Sequence, residues 1–85
     1  MKYYIGKIEE INCGMEYSDK FLFSTKGSPE KYMDKVARNW RGCSKGDYDK
    51  EQGGYWSDCT IVRDDGYQEI PEEHYEVLRK YLAVL

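Results

Sequence analysis

The stretch Tyr3–Ser24, YYIGKIEEINCGMEYSDKFLFS, decides the fold. In its second half Met15, Tyr17, Phe21 and Phe23 share odd positions, while Glu16, Ser18, Lys20 and Ser24 share even ones. Alternation of this kind marks a half-buried antiparallel strand with one wet face. Its first half, residues 3 to 11, is rich in β-branched and aromatic side chains and predicts a partner strand. Ile5 and Ile8 fall out of phase there, so a bulge near Gly6 is expected to reset the register. Between the two halves Asn12-Cys13-Gly14 supplies a tight turn.

Outward from this hairpin, Gly27-Ser28-Pro29-Glu30 is a helix start: a hydroxyl cap, proline in the first turn, and a carboxylate at the positive dipole end. Tyr32, Met33, Val36, Ala37 and Trp40 then form one apolar stripe, and Gly42 can end the helix. The polar, glycine-broken stretch from Cys43 to Asp58 has no period and is expected to be mostly a loop, with Tyr55 and Trp56 opening a strand that runs on to Arg63. A loop of that length in a small domain draws attention as a functional candidate. Asp64-Asp65-Gly66 reads as a turn before a short last strand, Tyr67 to Ile70. Pro71 opens a closing helix with Tyr75, Leu78, Tyr81, Leu82 and Leu85 on its apolar stripe. The expected fold is α+β: a single domain over residues 1–85, with a three- to four-stranded antiparallel sheet and two helices on one face, in the order ββαβ(β)α.

With 85 residues, 40 % hydrophobic and 34 % charged, the chain has the composition of a small soluble domain with room for one modest core. No apolar run approaches the length of a membrane span, and the N-terminus MKYYIGKIEE meets charge too early for a signal peptide. The expected compartment is the cytoplasm, that of the host cell if the chain is phage-encoded. Three cysteines, Cys13, Cys43 and Cys59, are an odd number without an export signal and are expected to be free, buried thiols in a reducing compartment, two of them being able to pair in an oxidising one. Their spacings suit no closed zinc site, and His74 is the single histidine. Asp47, Asp49, Glu51 and Asp58 occupy places 1, 3, 5 and 12 of a calcium loop, but Gln52 stands where the sharp turn requires glycine. No metal, cofactor, phosphate-binding loop or catalytic constellation is expected, and the chain reads as a non-enzyme.

Charge is unevenly divided. Residues 1 to 42 carry eight basic and six acidic side chains, whereas residues 43 to 85 carry five and ten. The acidic half interleaves carboxylates with Tyr48, Tyr55, Trp56 and Tyr67, a combination suited to interface anchoring. The candidate partner-binding residues are Asp47, Tyr48, Asp49, Glu51, Tyr55, Trp56, Asp58, Asp64, Asp65 and Glu69. The complement is a basic protein surface, while direct nucleic-acid binding is disfavoured at a net charge of −3.

A hairpin, a capped helix ending in Asn39-Trp40, a loop ending Gly53-Gly54-Tyr55-Trp56, a short strand and a closing helix with Glu73 to Leu82 resemble small proteins of phages and mobile elements. In size, acidity, aromatic content and lack of catalytic residues the chain also resembles anti-CRISPR proteins. That resemblance implies inhibition by occupying a nucleic-acid groove or a subunit surface of a CRISPR-Cas effector complex, as a DNA mimic does. It carries over no functional residue. A cytosolic accessory or regulatory protein that binds a host protein without a defence role is the alternative, and a minor enzyme or metal protein using Cys59, His74 and nearby carboxylates is a third.

Overall fold

A computed structural model describes the whole chain, Met1–Leu85. Strands β1 (Lys2–Asn12) and β2 (Met15–Thr25) pair along their full length, from Lys2 opposite Thr25 to Asn12 opposite Met15. The two residues between them, Cys13 and Gly14, both take positive φ, 50° and 86°, as a two-residue hairpin twisted like its strands demands. Helix α1 (Pro29–Trp40) starts as its sequence prescribes, with the Ser28 hydroxyl accepting from the Lys31 N–H. A 3-10 turn (Lys45–Asp47) then leads into β3 (Tyr48–Asp49), β4 (Gly54–Ser57), β5 (Thr60–Ile70) and helix α2 (Glu72–Leu78). The fold is α+β, with one antiparallel five-stranded sheet in the order β2-β1-β5-β4-β3.

One unexpected strand, β3, comes from the segment expected to be a loop, and the strand expected from Tyr55 on is split in two. Tyr48 pairs with Tyr55 and Asp49 with Gly54, so residues 43 to 58 extend the sheet instead of leaving it. The strand expected to run on from Tyr55 to Arg63 is broken at Asp58-Cys59, where Asp58 takes φ 55°. Aspartate tolerates that left-handed conformation better than most residues, and the break turns one strand into the β4–β5 hairpin.

The two helices lie on opposite faces, not one. On the first face α1 buries Met33 and Ala37 against Tyr4, Ile8, Phe21, Phe23, Tyr55 and Val62. On the second, Leu22, Ile70 and Tyr75 are buried, with Tyr3, Ile5, Leu78 and Leu82 packed around them. The phase of β1 explains the difference. Its even positions Tyr4, Gly6, Ile8 and Glu10 are buried in unbroken alternation, so no bulge resets it, and Ile5 belongs to the α2 face.

The irregularity lies in β5 instead. Gly6 pairs with Tyr67 and Ile8 with Asp64, leaving Asp65 and Gly66 together opposite Lys7. The Asp64-Asp65-Gly66 signal is thus a bulge within one continuous strand. Gly66 adopts φ 99°, and its N–H donates to the Asp64 carboxylate at 2.9 Å. Val62 and Ile70, eight positions apart, would share a face in a regular strand. The extra residue sends Val62 to α1 and Ile70 to α2.

Helix α2 is shorter than its stripe, because Tyr81 is exposed and the chain leaves the helix for the edge of the sheet. There the Leu22 N–H donates to the Ala83 carbonyl at 2.8 Å, and the Leu85 N–H donates to the Leu22 carbonyl at 2.9 Å. These bonds cover part of edge strand β2, and Tyr32 fastens the segment by donating to the Leu85 carbonyl at 2.6 Å.

The cysteines also depart from expectation. Asn12 pairs with Thr60, so the turns just beyond them sit side by side, and Cys13 and Cys59 are joined in a disulfide with Cα atoms 5.5 Å apart. Only Cys43 is free. No helix is long and apolar enough to cross a membrane.

Candidate functional site

The acidic half of the sequence does not assemble into a single surface. Adjacent residues of a strand face opposite sides, and Tyr55 and Trp56 are adjacent in β4. Tyr55 points under α1, where it is buried and donates to the Asp34 carboxylate at 2.6 Å. Trp56 lies on the other face, its indole N–H donating to Asp49 at 3.0 Å.

Several predicted site residues serve the local fold. Asp47 accepts from the Ser44 N–H at 2.8 Å and caps the 3-10 turn. Asp49 accepts from the Glu51 N–H at 2.9 Å in addition to Trp56, shaping the β3–β4 turn. The indole bond does most to hold its carboxyl below the usual range, the turn N–H groups of Gln52 and Glu51 adding to it against the effect of burial. With those carboxylates turned onto N–H donors, the calcium-like spacing does not gather oxygens around a common centre. Asp65 pairs with Lys7 at 3.2 Å and Glu69 with Lys2 at 3.7 Å, which offsets their charge. Glu51 and Asp58 are exposed on the β3–β4 and β4–β5 turns.

Three predicted residues, Tyr48, Tyr55 and Asp64, do come together. They line a cleft of 210 Å³ beside α1 with Asp34, Ala37, Gly53, Gly54 and Val62. Tyr48, 44 % exposed, stacks edge-on against Tyr55 with ring centroids 5.1 Å apart. Farther along α1, one turn before Asp34, Glu30 accepts a short hydrogen bond from Tyr67. Tyr67 in turn packs edge-on against Tyr4. The cleft therefore carries the carboxylates of Asp34 and Asp64 beside the rings of Tyr48 and Tyr55, and the Glu30–Tyr67 pair continues this acidic, aromatic flank one turn farther along α1.

Electrostatics sharpen this arrangement. Burial, and then the Asp34 carboxylate, push the Tyr55 phenol up to about 12. The Glu30 bond does the same for Tyr67, also to about 12, and in return Tyr67 holds the Glu30 carboxyl below its usual value. Glu30 is thus held as its anion at neutral pH, and Tyr55 and Tyr67 keep their protons. Asp34 is offset only loosely by Arg38 at 3.8 Å, and neither Glu30 nor Asp64 has an ion-pair partner within the chain.

Sequence reasoning missed Glu30 and Asp34 because they lie in the half whose net charge is positive. The available signal was their i,i+4 spacing, which puts both on one flank of the helix beside the buried Met33–Ala37 stripe.

The third reading, an enzyme or metal protein using Cys59 and His74, loses the Cys59 thiol to the disulfide. Cys43 is partly buried, donates to the Trp56 carbonyl at 3.2 Å, and has its thiol pushed up by burial and then by Asp47, the reverse of an activated nucleophile. Compared with protein-family models, with curated proteins and with solved structures, the chain finds no match.

Proposed function

We propose that this chain is a non-enzymatic binding protein whose acidic, tyrosine-walled groove covers a basic nucleic-acid-binding site on a protein partner. In its most concrete form it is a phage-encoded anti-CRISPR acting on a bacterial effector complex. The observation that carries the reading is the convergence of Glu30, Asp34 and Asp64 with Tyr48 and Tyr67 along one side of α1. Carboxylates spaced among exposed rings offer lysine and arginine side chains both charge and cation–π contact. A protein site built to grip phosphates presents those same cations.

The chemistry of the groove favours binding over catalysis. Each buried or bonded phenol is already closed onto its own carboxylate, and a proton held to about pH 12 is poorly matched to acid–base work near neutrality. The experiment is affinity capture from bacterial cells at low ionic strength, followed by competition on the purified partner. The reading requires that DNA or RNA and this protein exclude one another. A partner that binds both at once contradicts it.

A further inference from the structure

Strand β2 lies at the edge of the sheet, and its outer side is free over a short, well-defined length. Leu22 spends both its N–H and its C=O on the Ala83–Leu85 segment, which shows that even-numbered residues of β2 point their main-chain groups away from β1. Glu16, Ser18 and Lys20 therefore present N–H and C=O outward. The Ala83–Leu85 segment runs beside Phe21–Phe23, so the outward main-chain groups left free lie between Glu16 and Lys20, with Ser18 at the midpoint.

We propose that this edge pairs with the same edge of a second copy of the chain, antiparallel about a two-fold axis at Ser18, joining two five-stranded sheets into one. Such an interface is self-complementary by symmetry. In this register Ser18 faces Ser18, and Glu16 of each copy faces Lys20 of the other, all at positions whose main-chain groups point outward. Neither Glu16 nor Lys20 has an ion-pair partner within its own chain. Lys20 in fact stands opposite Lys7 of β1, which is already committed to Asp65. Across the two-fold both unpaired charges are matched.

The other face of the strand agrees. Tyr17, 46 % exposed, falls opposite Asp19 of the second copy, within reach of a phenol-to-carboxylate bond. Charged residues on an edge usually deter pairing, but the order Glu16-Tyr17-Ser18-Asp19-Lys20 makes this one antiparallel register attractive.

The test is sedimentation equilibrium of the full chain in a Cys43→Ser background, so that an intermolecular disulfide cannot supply the same mass. The expected result is a reversible dimer. Glu16→Lys or Lys20→Glu alone places like charges opposite each other twice per dimer and should weaken association by about tenfold or more. The double swap Glu16→Lys/Lys20→Glu should restore it. Ser18→Pro removes an outward N–H that bonds nothing within the chain, and should give a folded monomer by circular dichroism. A wild-type chain that stays monomeric to millimolar concentration, or single and double swaps that associate equally well, overturns the proposal.

Discussion

Gly6 is where the sheet meets α1 most closely. A Cβ placed there would lie 2.6 Å from both the Met33 sulfur and the Phe21 ring, two side chains fixed in the core. Gly6→Ala should therefore cost about 1–3 kcal/mol by overpacking, read as a lowered urea midpoint with unchanged slope. An unchanged midpoint would mean that the helix does not seat on the sheet at this point. Tyr55 and Tyr67 make a second prediction at this scale. Their phenols are raised to about 12, so the fold holds those protons more tightly than the unfolded chain does. The stability they contribute is complete below about pH 10 and is lost as pH climbs through about 12. In a spectroscopic alkaline titration of the nine tyrosines, a late phase should appear, and Tyr55→Phe or Tyr67→Phe should each remove part of it. A single early wave in the wild type would break both carboxylate bonds from the account.

Among the elements, the hairpin and α1 were legible because each follows a local rule. The Cys13-Gly14 turn and the Ser28-Pro29 start act within a few residues, and alternation marked residues 15 to 23 as a strand, although Met15–Lys20 is exposed on both faces and Phe21–Phe23 buried on both, with no single wet face. What was not legible depends on partners distant in sequence. Tyr48 becomes a strand residue only because Tyr55 pairs with it, and Asp64-Asp65-Gly66 becomes a bulge only because β1 runs past it. The disulfide has the same origin, since its two cysteines stand 46 positions apart in sequence and the register of β1 and β5 brings them together. A cross-link closing a loop of that length should contribute about 2–4 kcal/mol. Reduction with a dithiol should lower the urea midpoint accordingly, and Cys13→Ser/Cys59→Ser should abolish the dependence on reductant. Equal midpoints in oxidised and reduced wild-type protein would exclude the bond.

At the scale of the molecule, the division of charge along the sequence proved a partial guide. It pointed to Tyr48, Tyr55 and Asp64, which line one cleft, but counting carboxylates by half could not tell which would bond local N–H groups, as Asp47, Asp49 and Asp64 do, or be neutralised by lysines, as Asp65 and Glu69 are. Nor could it show that α1 contributes Glu30 and Asp34 from the basic half. If the groove takes the basic partner proposed above, association should be steered by charge and slowed by salt. Asp64→Asn with Asp34→Asn should reduce the association rate most at low ionic strength, whereas Tyr48→Ala should act mainly on dissociation. The central claim meets its most direct test in the competition assay on the captured partner, with fluorescent nucleic acid as the reporter. The account predicts that the wild-type chain displaces the nucleic acid and that Asp34→Asn/Asp64→Asn loses most of this ability while remaining folded. Displacement by the variant as strong as by the wild type, at both low and high salt, would contradict it.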